Sequence, residues 1–524
     1  MKKYLTVIIA ISTLLVSSCA DFLNIRTEAS MPTSGMDYTK VENVFQPVSA
    51  AYASMRLSEG RAFNYISVMG VPSDDDDKGS TETDGIETKE LDLFTYGPTN
   101  GHIDAMWVHF YDIVSAANYA IESMPKFAEN FSDATALATV AACGGEAKVI
   151  RAYAYFNLVR MFGAVPKIDR TMTAQELGNL APTSVEGMYD FIYQDLDEAI
   201  EVLPESFAEK GRYNRYTAMA LKSKVALYRK DWNEAAANAD AVIASGKFAL
   251  EPEFLNAFSI DGEYGKESLM EIGSDDLGQV SGSAPLCYYG FIQGPRSNQP
   301  SSMQGWGFKV PSQKLVDFLT ERGDMERLAV TVLKRGENTP YGDLILETCP
   351  NPYYNGKVCT PSATNTFTNN SYGLDHNMRL LRYAEVLLNY AEAKAELGQF
   401  DQTVADRTIN LLRDRVGMAR MNVNSLTVAP YLIDPETGYS NPILLKDPNL
   451  AQILEIRRER GVELAQEGDF RWEGLLRWKE GKCVEQDMHG IYFSGPGQYD
   501  LDKNGTIDVW LYGSNEAQPT INPT

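Results

Sequence analysis

Histidine is nearly absent from this chain. The 524 residues hold four, His102, His109, His376 and His489, and none are spaced as a helical metal pair. There is no GxSxG elbow, no GxxxxGK[ST] loop and no HExxH helix, so the sequence carries none of the motifs of serine hydrolases, P-loop nucleotide enzymes or zinc proteases. Counting carboxylates does not decide against a glycosidase pair, because there are 71. Cysteine is scarce too, and the six present include no CxxC pair, which argues against zinc or dithiol chemistry. Cys349 and Cys359 flank a loop rich in Pro and Asn, where a bridge and two separate thiols are both open readings. Basic charge is short by 24, and a surface this acidic repels phosphate, which excludes DNA or RNA as a partner.

Long apolar runs are also missing, apart from one at the start. Lys2-Lys3, the apolar stretch Tyr4 to Val16 and the small-residue end Val16-Ser17-Ser18-Cys19 form an export signal over residues 1–18, too short to span a bilayer. No later segment is apolar for long enough to cross a membrane.

What the chain does have is helical period. From Met378 to Val416, Leu380, Ala384, Leu387, Leu388, Ala391 and Ala395 make one apolar face, much of it small enough for a close antiparallel partner. Gly398 ends the first helix and Phe400 plugs the junction with the next. The same hairpin recurs over Tyr216 to Gly246, with Trp232 standing where Phe400 stands. Gly145 to Phe162 with Val185 to Leu203, and a unit beginning at Ala105 to Met124, bring the total to about four. Spaced self-similarity of this kind predicts a mainly α fold of tetratricopeptide-like hairpins, interrupted by long insertions. Arg151 lies inside an almost all-apolar helix and must find an acid or carbonyls there. In the charged helix Leu450 to Gln466, the spacings Glu455 to Arg458 and Arg460 to Glu463 predict internal ion pairs.

Two stretches lack period. Asn64 to Gly101 reads as loop, and its run Asp74 to Asp77 reads as a solvated acidic turn more readily than as a calcium site. Residues 247–376 are rich in Gly, Ser, Pro, Asn and aromatics, with one helix expected at Pro311 to Thr320. Near the end, Asp500, Asp502 and Asn504 fall at calcium-loop spacing. The twelfth position is Leu511, where the ion needs a bidentate acid, so an Asx-type turn is the better reading.

A surface that holds sugar needs flat rings against the C–H faces of pyranoses and amides or carboxylates at the rim. Phe94, Tyr96 and Asn100 offer this before the Trp107 helix, and Tyr288, Tyr289, Trp306 and Phe308 offer it in the 247–376 insertion.

Five pieces, in order, resemble the SusD/RagB family of nutrient-capturing surface lipoproteins. They are Cys19-Ala20-Asp21-Phe22-Leu23, Arg151-Ala152-Tyr153 to Gly163-Ala164-Val165-Pro166, Leu227 to Gly246, Arg382 to Gly398, and Glu459-Arg460 to Trp478. Gly474 departs from the acid that family members usually carry there, and Asp469 looks inserted. The resemblance implies lipid on Cys19, a tether over 19–40, an N-terminal helical region over 41–246 and a C-terminal region over 247–524. The last would carry binding loops (247–376) and the helical repeat (378–416). It also implies outer-membrane anchoring, no cofactor, and capture of an oligosaccharide for a SusC-like TonB-dependent transporter. The family's starch-binding archetype places a tryptophan and an asparagine near Tyr96 and Asn100, and stacking aromatics near Tyr288 and Trp306; the match is by region. Peptide capture, as in the RagB branch, is the alternative, and a secreted glycoside hydrolase a more distant one.

Overall fold

The computed structural model describes residues 35–73, 75–274, 287–296, 304–362, 376–426, 449–468, 497–499 and 509–511. Cys19, Asp74, Asp469, Gly474 and the Asp500, Asp502 and Asn504 turn lie outside the described residues.

In chain order the helices used below are α1 (Gln46–Ser54), α2 (Glu59–Tyr65), α3 (Ile86–Asp92), α4 (Gly101–Ala128), α5 (Ala134–Phe162), α6 (Val185–Val202), α7 (Arg215–Arg229) and α8 (Trp232–Ala244). The insertion adds α9 (Tyr289–Gln293), α10 (Gln313–Glu321) and α11 (Met325–Thr331), and the C-terminal part α12 (Tyr383–Glu396), α13 (Gln402–Arg407), α14 (Ile409–Arg415) and α15 (Leu450–Leu464). Short antiparallel pairs join them: β1 (Asp76–Gly79) with β3 (Phe308–Pro311), β2 (Ser268–Ile272) with β6 (Met378–Arg382), and β4 (Val332–Lys334) with β5 (Tyr353–Asn355).

Most long helices begin where a side chain can accept the first orphan N–H groups. Asp133, Ser184 and Asp231 do this for α5, α6 and α8, and Asn214 forms a reciprocal capping box with Thr217 for α7. Asn214→Ala is expected to cost about 1 kcal/mol, read as a lower urea midpoint at unchanged slope.

The helices stack in sequence. α4 packs on α5, α5 on α6, α6 on α7, α7 on α8, α8 on α12 and α12 on α15. The array is therefore interrupted in sequence but continuous in space, with residues 247–376 placed between α8 and α12. Small residues make this possible: Ala384, Ala391 and Ala395 are fully buried beside Leu387 and Leu388, and Gly398 ends the turn at φ 68° above the buried Phe400. The fold is mainly helical, built of tetratricopeptide-like units.

Several expectations are corrected. Leu380 is not on the α12 face but in β6, where Ser268–Ile272 supplies the partner backbone. The C-terminal half of that hairpin is two short helices, broken at Thr408 (φ −134°, ψ −91°). Asn64 to Gly101 is not a loop: α2 runs into a π-turn at Ile66–Gly70, followed by β1 and α3. Helices this short cannot display a period, which is why they escape a pattern search. Of the three described aspartates of the run only Asp77 is solvated; Asp75 and Asp76 are buried, and the three do not gather around an ion site. Asp76 is 3% exposed, with its carboxylate taken up by Lys309 Nζ at 3.1 Å, Ser73 Oγ at 2.9 Å and the Gln466 amide. Cys349 and Cys359 are both buried thiols, Cys349 against the Tyr354 hydroxyl and Cys359 near Thr360 O.

Buried charge ties the C-terminal part together. Glu455 and Arg458 pair at 3.5 Å as the spacing predicts, but Arg460 instead reaches Glu392 on α12 at 3.3 Å. Glu459 accepts from Arg327 at 2.8 Å, Arg413 at 2.9 Å and Arg322 at 3.0 Å. Glu463 accepts from Arg327 at 2.9 Å, Arg382 at 2.7 Å and Arg415. Burial pushes both carboxyls up, yet the guanidiniums around them outweigh it and hold both below the usual range. Arg151 behaves as its position requires, clamped by Asp195 at 2.6 and 2.8 Å, with Asn118 and the Asp169 carbonyl completing its partners.

Candidate ligand-binding site

The first aromatic segment follows α3. Phe94 is exposed and held at φ 55°, an uncommon conformation for a bulky residue, and Tyr96 is 43% exposed. Asn100 is different. It is buried, accepting from His102 N at 3.2 Å and donating to Glu87 O at 3.0 Å, so its amide caps α4.

The second segment lies around α9 and the start of β3. Tyr289 is buried, with its ring 6.5 Å from that of Tyr65 and its hydroxyl accepting from Gly468 N at 2.8 Å. Phe308 is also buried. Tyr288 and Trp306 are half-buried and share Phe291, whose ring meets theirs edge-on at 5.9 and 5.7 Å. The backbone fixes Trp306 as well: its N–H donates to Phe291 O at 3.1 Å, and Gly305 N donates to Pro295 O at 2.7 Å. A Cβ on Gly305 would stand 2.5 Å from Phe291 O and 2.6 Å from Gly294 O, so only glycine permits this approach.

Phe63 brings the two segments together. Its ring lies 5.8 Å from Trp306 at 83°, 4.7 Å from Phe308 and 5.0 Å from His102 at 86°. These are the edge-to-face arrangements that aromatic quadrupoles favour. His102 is in turn fixed by Asn64 Oδ1 at 2.7 Å and Thr88 Oγ1 at 3.1 Å, beside the Asn100 cap. The sequence offered no sign of Phe63, which sits on the two-turn helix α2. The predicted set therefore divides. Tyr96, Tyr288 and Trp306 reach solvent, while Asn100, Tyr289 and Phe308 are covered.

Electrostatically the site is acidic. Burial, then the nearby Glu59, raises the Tyr288 phenol. Burial lowers the His102 imidazole, with Glu87 opposing. Arg296, next to the Trp306 turn, is held by Asp84 at 2.8 Å and Ser80 at 3.1 Å. Lys78 passes near the Phe308 ring and ends on the carbonyls of Thr81 and Asp84 at 2.7 and 2.9 Å. Among the described residues no group of three or more His, Cys, Asp or Glu is placed to hold a metal. A separate cavity lies within the scaffold, lined by the rings of Tyr65, Tyr153 and Phe156 and by charged residues that include Arg160, Lys224 and Glu467.

Residues 266–523 match a family profile described as the SusD family, and residues 21–227 match one described as starch-binding, associating with the outer membrane. The SusD-like protein P2 of Formosa agariphila is 29% identical over 501 residues, 92% of each chain, and SusD-like protein P38 of the same organism is 25% identical over 528 residues, 94% of this chain and 95% of its own. Among solved structures, a laminarin-binding SusD-like protein superposes with a TM-score of 0.67 at 24% identity, covering 86% of this chain and 94% of its own. A SusD homologue from Bacteroides thetaiotaomicron gives 0.72 at 20% identity, covering 88% and 90%. Surface glycan-binding protein A from the same organism, in complex with laminarihexaose, gives 0.66 at 19% identity, covering 86% and 93%. At these identities the structural likeness establishes the fold.

Proposed function

Because the chain belongs to the SusD/RagB family, we propose that it is a non-catalytic glycan-binding protein of the outer-membrane surface. Lipid on Cys19 anchors it there, and it passes captured oligosaccharide to a SusC-like TonB-dependent transporter. The observation that carries the reading is the aromatic cluster around Phe63. Rings fixed on several sides lose little freedom when a sugar covers them, so their apolar area contributes to affinity with a small entropic penalty. Trp306 and Tyr288 provide the central platform and Tyr96 an outlying one. The relatives that bind laminarin and laminarihexaose support a glycan as the ligand class.

Affinity electrophoresis of the detergent-solubilised full-length protein through a panel of plant, host and microbial polysaccharides tests this. One or more glycans should retard the band. Trp306→Ala should weaken that binding about thirtyfold, the loss of about 2 kcal/mol typical of a central aromatic anchor. Retardation lost with Tyr96→Ala but not with Trp306→Ala would move the site to the first segment. No retardation by any glycan, together with retention of peptides from a protein digest, would replace this reading by peptide capture.

A further inference from the structure

Charge, more than shape, separates the ligand classes open to this site. Three cations stand close to the aromatic cluster, and each is already answered by a carboxylate. Arg61 on α2 pairs with Asp112 at 2.8 Å, Lys89 on α3 with Glu82 at 3.3 Å, and Arg296 with Asp84 at 2.8 Å. Lys78 is buried on backbone carbonyls. Residues 297–303, which lead into Trp306, contain no charged residue. Exposed acids without a cationic partner among the described residues stand on α2, α3 and α4, the three helices at the cluster. Glu59 opens α2 and acts on Tyr288, Glu87 sits on α3 beside His102 and the α4 N-terminus, and Asp104 lies in the first turn of α4. Arg56, three residues before Glu59, is exposed and is outnumbered by them.

Resting on the glycan reading above, we infer that the ligand is a glycan free of carboxylate and sulfate groups, and that Glu59, Glu87 and Asp104 are the residues that exclude anionic chains. Among the cations named above only Arg56 is left to receive an anion, and bringing a polyanion to the rings sets like charges side by side with little compensation. Because these acids are exposed, their effect reaches over a Debye length, about 30 Å in 0.01 M salt and about 10 Å in 0.1 M.

The test uses the detergent-solubilised full-length protein and backbones prepared in matched forms: laminarin with sulfated laminarin, hydroxyethyl cellulose with carboxymethyl cellulose, and methyl-esterified with de-esterified homogalacturonan. For whichever backbone is bound, the uncharged form should bind at least about tenfold tighter in 0.01 M salt, with the gap closing as salt screens the rim. The triple variant Glu59→Gln, Glu87→Gln and Asp104→Asn should narrow the gap to under threefold. Equal or tighter binding of the anionic form at low salt, in a complex that Trp306→Ala releases, overturns the inference and leaves glycan capture standing. A gap that the triple variant does not narrow overturns the assignment of these three acids. Binding of no form of any backbone removes the glycan reading, and the inference with it.

Discussion

Arg327→Ala is expected to lower the unfolding free energy by about 3–5 kcal/mol, the usual cost of removing one member of a buried charge group. Arg327 is fully buried, and its guanidinium serves Asp324 at 2.6 Å as well as Glu459 and Glu463. Glu459 keeps Arg322 and Arg413 when it is lost, and Glu463 keeps Arg382 and Arg415. Asp324 is the residue left stranded, because its other oxygen already lacks a partner. Adding Asp324→Asn should therefore recover part of the loss, and urea unfolding of the two variants reads both effects. A loss under 1 kcal/mol would mean that the remaining arginines repack to cover the gap.

Acid should act in two stages. His109 and His376 are buried and pulled down to about 3, chiefly by burial and secondarily by Arg61 and Arg379 respectively. Unfolding lets them take protons below their ordinary value of about 6.5, so stability begins to fall there as pH drops. Glu459 and Glu463 titrate below the usual range when folded, so their contribution is complete above about 4.3 and lost as pH falls further. Urea midpoints taken from pH 7 down to pH 3 should show a shallow decline and then a steep one.

Gly305→Ala is the second large effect, and it acts on function and stability together. The added methyl meets the carbonyls of Phe291 and Gly294 within 2.6 Å, and backbone on both sides cannot yield as a side chain would. The turn must open, costing about 1–3 kcal/mol in strain. Trp306 moves with it, because its own N–H is tied to the Phe291 carbonyl. Ligand affinity should fall as far as in Trp306→Ala, about thirtyfold for the loss of a central anchor. Measured by isothermal titration with the best glycan of the panel, near-normal affinity would show that Trp306 does not need its turn.

How much of this was legible in the sequence depended on the range of the interactions. The long helices carry their own period, so α7 and α8 were readable to within a residue or two from the hairpin Tyr216 to Gly246 with Trp232 at its turn. Leu380 misled because its spacing suits a helix, while its strand is fixed by Ser268–Ile272, more than a hundred residues away. Asp76 misled for the same reason, since its partner Lys309 comes from within the insertion, 233 residues along the chain. Arg460 and Glu463 sit at ideal helical spacing, yet the arginines converging on Glu463 come from β6, α11 and α14. At the site, Trp306 and Tyr288 could be picked out as rings in a polar loop, but not Phe63, whose importance comes only from what surrounds it.

That ring has a consequence for ligand length. Phe63 leans on His102 at one side and on Trp306 and Phe308 at the other, so whatever immobilises one aromatic segment also restricts the support of the other. The second segment then has less conformational freedom left to lose when contacted. A chain long enough to cover both is held more tightly than two fragments would suggest. On the glycan reading, affinity should therefore rise with the length of the captured chain.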